Sequence, residues 1–267
     1  MPASPAIKKD GVNNLVLNDL QFSNPLPSGK CIELRACNNV KSGGCIATNF
    51  AKRFVDLRQL TGAEIVNFIA DAMYNATDNF CIGISIGASG VIADACHDVY
   101  VHDGTIKNVR YGGTSAYKNG DGIAVEKGCT GLRFEKLRIE DVQDGGIDAK
   151  SPFSMKHCII KKASRAIRVW EGLADLEDIL IDECGEDIWL GGPNAKVRLN
   201  NVRNPARKLK IMSDAGVVPD NDPRLEWVTP TPPVDYVTRA EFTALEQRVE
   251  GLELKLIGIN NWEIVKK

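Results

Sequence analysis

The sequence predicts an all-β solenoid, and three observations carry the prediction. Between Gly120 and Asn204, apolar residues return to the same column at an offset of twenty-one residues. One column holds Phe134, Met155, Leu176 and Val197, a second Leu137, Cys158 and Ile179, and a third Ile139, Ile160, Ile181 and Val202. Repeats of this length cannot bury an apolar face singly, so they stack. Within each unit apolar and polar residues alternate, which is the period of strands rather than helices. Finally, a second set of strands begins at Ile123, Ile147, Ile167 and Ile188, spaced 24, 20 and 21 residues apart. Uneven spacing places the length changes in the turns and leaves the strands matched.

The polar columns support the same stacking. Glu135, Lys156, Glu177 and Arg198 fall in one column, and Glu140, Lys161, Asp182 and Arg203 in another, both alternating in sign. Neighbouring coils lie about 4.8 Å apart, a distance at which opposite charges pair and like charges repel. The apolar columns hold the stack, at roughly 1.5–3 kcal/mol per buried side chain.

In chain order, residues 1–212 are expected to form the solenoid. Leu17, Leu20 and Phe22 repeat the three-then-two spacing of Phe134, Leu137 and Ile139. Cys31–Leu34 and Phe54–Leu57 read as further strands, with Gly43-Gly44 as a turn between them. Residues 61–75 change period: Thr61-Gly-Ala-Glu64 forms a capping box, and Ile65, Phe68, Ile69 and Met73 follow at helical spacing. A short helical insertion is expected there. Val101, Gly104, Ile106 and Val109 anticipate the next coil by 33 residues, so Lys107 joins the column of Glu140. The twelve extra residues form a loop carrying Tyr111 and Tyr117, a candidate binding loop. Residues 213–237 hold five prolines and read as a linker. Over 238–267 a second capping box, Thr238–Glu241, precedes Phe242, Leu245, Val249, Leu252, Leu256 and Ile259 at alternating spacings of three and four. That seam predicts a coiled-coil helix joining copies of the chain.

Composition bounds the function. The 267 residues are 43% hydrophobic and 25% charged, with a net charge of −2, so there is no basic footprint for nucleic acid. No apolar run has membrane-spanning length. The start MPASPAIKKDG lacks the apolar stretch of a secretory signal, which predicts synthesis in a cytosol. The eight cysteines show no CxxC pair or zinc spacing and are expected to be mainly buried thiols.

The columns over residues 12–212 resemble a right-handed parallel β-helix of the pectate-lyase-like kind. That superfamily holds lyases, hydrolases, epimerases and phage adhesins, so the resemblance implies fold more strongly than function. Joined to a coiled coil, it resembles phage tail and fibre proteins, which implies a trimeric virion protein (spike, fibre or head decoration) contacting other virion proteins. The alternative is a polysaccharide lyase or glycoside hydrolase acting on an acidic polysaccharide.

The chemistry concentrates after the first-strand isoleucines. Ala124, Asp148, Arg168 and Trp189 share an outward column, and Glu126, Lys150 and Trp170 the next. Tryptophan faces stack on pyranose rings while charged groups fix hydroxyls or uronates. The same groups would equally suit a subunit interface. Asn119-Gly-Asp-Gly122 resembles a motif of polygalacturonase-type hydrolases, but Asp144 is followed by glycine, and His97, His102 and His157 lie elsewhere. The adjacent acid pair of that family is therefore absent. For a lyase, the resemblance implies Asp121, Asp144 and Asp148 as calcium ligands, with Lys150 or Arg168 as base. Otherwise no metal or cofactor is expected.

Overall fold

A computed structural model of the chain describes residues 6–23, 29–72, 76, 79–116, 118–228, 252–256 and 262–266. Each coil gives a strand to a ten-stranded sheet and either one longer strand or, in the first two coils, a pair of short ones to an eleven-stranded sheet. In the first sheet, parallel neighbours stack from Ile7–Asp10 to Ile211–Ser213, and Gly216–Val217 closes it antiparallel. Its inward column runs Ile7, Ile32, Val55, Ile84, Ile123, Ile147, Ile167, Ile188 and Ile211. The four isoleucines that mark the strands in the sequence are thus the fifth to eighth members of a column nine coils long. The chain folds as a parallel β-helix, and all eight cysteines are free and buried within it.

The three-then-two spacing has a backbone cause. Each long strand of the second sheet is bent at one left-handed residue: Asn67, Asp103, Lys136, His157, Asp178 or Asn201, with φ between 50° and 53°. The corner residue drops out of the ladder, so Lys156 pairs with Glu177 and Cys158 with Ile179 while His157 does not pair. Inward side chains therefore sit two apart on either side of the corner and three apart across it, as with Met155, Cys158 and Ile160. Asn and Asp tolerate this conformation better than other non-glycine residues. At the last corner Asn201 Nδ2 donates to Asp178 Oδ1 at 2.6 Å.

The same corner overturns the helix expected at 61–75. Thr61–Ala72 is a twelve-residue strand, paired with His97–Lys107. Ile65 and Phe68 stand three apart because Asn67 turns the corner between them, which mimics helical periodicity. Phe68 is buried and stacks on Phe54 with ring centroids 5.7 Å apart, whereas Ile69 is exposed. Met73 lies outside the described residues.

The final coil slips. Ala195–Arg203 pairs at an offset of 23 residues, so Leu199 opposes Leu176, Val197 opposes Ala174 and Val202 opposes Ile179. The turn Gly191–Asn194 holds the extra pair. Arg198 therefore leaves the column of Glu177 and bonds Asp175 (3.3 Å) and Glu226 (2.9 Å), and Arg203 leaves the column of Asp182. A slip of two keeps every side chain on its face, which is why alternation could not reveal it. At the other end the ladder gains Asp71, so it runs Asp71, Lys107, Glu140, Lys161 and Asp182, with Lys107 3.1 Å from Asp71 and Lys161 3.6 Å from Asp182. Lys161→Glu would place three acids in succession. It is expected to cost about 0.5–1.5 kcal/mol in low salt, with part restored by added salt. Urea midpoints at two ionic strengths check this, and a neutral low-salt result would contradict the ladder.

The solenoid continues into the proline-rich stretch, where Leu225–Val228 pairs with residues 197–200. It forms one compact unit ending at Val228, and residues 229–267 form a second. In that second unit, Leu252–Leu256 pairs antiparallel with Trp262–Lys266. Over Leu252 and Leu256 the backbone is thus a strand where the heptad predicts helix. The segments Leu-Glu-Leu-Lys-Leu and Trp-Glu-Ile-Val-Lys approach the two-residue alternation that favours strands. Phe242, Leu245, Val249 and Ile259 lie outside the described residues.

Candidate functional site

The outward column of the first sheet runs Lys8, Glu33, Asp56, Ser85, Ala124, Asp148, Arg168, Trp189 and Met212. Two charged clusters are thus separated by two coils with small residues.

The cluster nearer the C-terminus forms around Gly145. A Cβ there would fall 2.9 Å from Asp121 Oδ1 and 3.5 Å from Asp148 Cβ. Without one, the Gly145 N–H donates to Asp121 Oδ1 at 2.8 Å. Arg168 lies across the same space, with Nη2 2.5 Å from Asp144 Oδ1 and Nη1 3.7 Å from Asp148 Oδ2. Arg165 bonds Asp144 (3.1 Å) and Glu186 (3.0 Å). Trp170 Nε1 donates to Asp148 Oδ1 at 2.6 Å. Asp121, Asp144, Asp148 and Arg168 are therefore brought together. Among the described residues, however, no group of three or more His, Cys, Asp or Glu side chains is arranged to hold a metal ion.

The electrostatics separate the aspartates. Asp121 is fully buried and its Oδ2 has no hydrogen-bond partner. Burial, then the charges of Asp148 and Asp144, push its carboxyl well above the usual carboxylate range. Burial also raises Asp148, against the opposing pull of Arg168 and Trp170. Burial would lower Arg168, but Asp148 and Asp144 outweigh it and hold the guanidinium up. The second cluster shows the opposite balance. Asp56 is equally buried, yet Arg53, Lys30 and Arg58 overcome that burial and hold its carboxyl low. Arg53 donates to it at 2.8 Å and Arg58 at 3.2 Å.

A pH prediction follows from Asp121. Its folded pKa is raised, so between about pH 4 and that value the folded chain holds a proton that the unfolded chain has released. Stability is therefore lost as pH rises through this window. Asp121→Asn keeps the Gly145 bond and removes the titration. It is expected to be more stable than the parent by about 1–2 kcal/mol near pH 8, with the difference vanishing near pH 4. Denaturation at both pH values checks the sign.

Beyond Asp148 the strand ends in Lys150, whose Nζ donates to both Glu126 oxygens at 2.9 and 2.8 Å. Trp170 follows at the same place in the next coil and meets Trp189 edge-on, with ring centroids 4.8 Å apart. The two tryptophans have different roles. Trp189 is 8% exposed, and Gly191 lies against it so closely that a Cβ would fall 2.0 Å from its ring. It packs, and does not offer the open ring face expected of it. Trp170 is half-buried and lines a cavity of about 450 Å³ with Lys127, Lys150, Glu171 and Asn194.

Tyr111 falls elsewhere. Its loop precedes the leading end of the Asp121 strand, whereas Trp170 follows a trailing end. Its hydroxyl accepts from the Ser115 N–H at 3.0 Å, so it braces its own loop. Tyr117 lies outside the described residues. The histidines belong to the second sheet's side: His97 meets Thr130, His102 meets Glu64 and Asp103, and His157 meets Asp178. Sequence reasoning missed Arg165 and Glu186, although they stand two residues before Ile167 and Ile188, as Gly145 stands before Ile147. It also missed Lys127, Glu171 and Asn194, which lie in turns and carry no periodic signal.

Fold and site together define a parallel β-helix with a charged, tryptophan-lined outer face. No protein-family model and no curated protein matches the chain. Among solved structures, it is similar to an alginate lyase from Paenibacillus sp. str. FPU-7, with a TM-score of 0.61 over 82% of this chain and 74% of that one. At 13% identity, the likeness establishes the fold alone.

Proposed function

We propose that the protein binds an acidic polysaccharide on the outward face of the first sheet and cleaves it there as a polysaccharide lyase. The observation carrying this reading is the cavity beside Trp170. It combines a half-buried indole, which suits a pyranose ring, with Lys127, which suits a uronate carboxylate. Asp148 adjoins it through the Trp170 hydrogen bond, and its raised pKa suits a carboxyl that gives a proton to a leaving oxygen. Lys150, on the cavity wall, takes the proton beside the uronate carboxyl once it has passed its own proton to Glu126. The activity of the structurally similar alginate lyase supports the substrate class. A screen of acidic polysaccharides, read as absorbance from unsaturated uronate ends, tests the proposal. Turnover should disappear in Asp148→Asn with binding retained, and Trp170→Ala should weaken binding by about 1 kcal/mol. Failure to cleave any acidic polysaccharide would overturn the lyase reading.

A second reading is favoured by the pairing of Arg168 and Lys150 with carboxylates, which suits a fixed binding face better than turnover. In it the chain is a non-catalytic phage virion protein (spike, fibre or head decoration), a homotrimer that adheres to surface polysaccharide. Binding without cleavage, together with a native mass of three chains, would favour it.

A further inference from the structure

Cys96 and Cys129 differ from lone buried thiols because they stand side by side in adjacent coils. The Cys96 N–H donates to Cys129 Sγ at 3.3 Å. The next residues, His97 and Thr130, form a parallel bridge, so the two cysteines occupy matching places in adjacent coils. Adjacent coils lie about 4.8 Å apart, within the roughly 4.4–6.8 Å between Cα atoms that a disulfide accepts. Gly87 faces the pair: a Cβ there would come 3.2 Å from Cys129 Sγ, so its absence leaves room at the sulfur.

We infer that Cys96 and Cys129 are the site of a disulfide that forms inside the solenoid when the protein meets an oxidising small-molecule disulfide. The roles of the two sulfurs differ. Hydrogen bonding to Cys129 comes first, and burial second, among the causes that push the Cys96 thiol well up, while the same bond leads those that lower Cys129. Cys129, which accepts the Cys96 N–H and lies beside exposed Lys127, Gly128 and Thr130, is the attacking thiolate. It bonds one sulfur of the oxidant and expels the other half as a thiolate. Cys96 then loses its proton, attacks Cys129 Sγ and expels the second half. Two protein thiols are oxidised, and one small disulfide is reduced to two thiols. Both cysteines are buried, but Lys127, Gly128 and Thr130 around Cys129 are exposed, so opening this one turn admits the oxidant. The bond would enclose the Tyr111–Gly120 loop and the strand bearing Asp121, fastening one side of the charged cluster. The inference stands independently of any activity on polysaccharide.

The experiment incubates the full chain with oxidised glutathione, alkylates the remaining thiols and maps peptides by mass spectrometry without reduction. The expected result is a Cys96–Cys129 cross-linked peptide, six alkylated cysteines and a thermal midpoint raised by several degrees. Cys96→Ser should stop at a glutathione adduct on Cys129, and Cys129→Ser should give no adduct at either place. Eight alkylated cysteines at the most oxidising ratio, or a cross-link between another pair, would overturn the assignment. An adduct on Cys96 in the Cys129→Ser variant would overturn the order of attack.

Discussion

Arg168→Ala is expected to lower the free energy of unfolding by about 3–5 kcal/mol, the cost of removing one partner from a buried ionic cluster. Arg168 is 9% exposed and is the cation closest to Asp144, with Asp148 and buried Asp121 beside it. Without it these carboxyls face one another with little water to screen them. The loss should be largest at neutral pH and shrink toward about pH 4, where the unfolded chain also takes up protons on its carboxylates. Adding Asp144→Asn to Arg168→Ala should recover part of the loss, because it removes one of the stranded charges. Urea unfolding of the three proteins at both pH values measures this. A loss below about 1 kcal/mol would mean that the cluster is already screened by solvent.

Gly146→Val is expected to cost about 3 kcal/mol or more. A Cβ at Gly146 would lie 2.5 Å from the Ala166 carbonyl oxygen and 2.7 Å from Ile160 Cγ2. The same approach recurs at Gly83, against the Gly122 carbonyl and Ile106, and at Gly122, against the Gly146 carbonyl and Ile139. These glycines let isoleucines of the second sheet rest on the backbone of the first. A backbone carbonyl cannot rotate away as a side chain can, so relief would require the coils to separate. Thermal or chemical denaturation checks the size of the effect. A variant of parental stability would show that the coil spacing yields more readily than the close approach implies.

Much of the solenoid was legible because alternation and column spacing are short-range consequences of strand geometry. Ile123, Ile147, Ile167 and Ile188 fell in register as their spacing predicts. The corner was visible as the gap of three between Phe134 and Leu137, but near Thr61 and Glu64 the same gap looked helical. Local spacing cannot distinguish a bent strand from a helical turn when the deciding feature is one φ angle at Asn67. The outward positions of Asp148, Arg168 and Trp170 were legible from their two columns. The burial of Asp121 and Trp189 was not, because it depends on what neighbouring coils leave out at Gly145 and Gly191. Arg165 went unseen for a related reason: it lies where strand and turn meet, and its partner Asp144 belongs to the preceding coil.

The two-residue slip at Ala195–Arg203 shows that the two surfaces of a coil obey different arithmetic. The interior registers only odd and even, so it accepted two added residues in the turn without exchanging an inward side chain for an outward one. The exterior registers absolute count, so the same addition gave Arg198 a new partner and took Arg203 out of its ladder. Turns that lengthen or shorten in pairs can therefore rewrite the outer surface of the stack while its packing continues undisturbed. A protein of this construction can change what it presents to a ligand by editing a turn, with no compensating substitution inside.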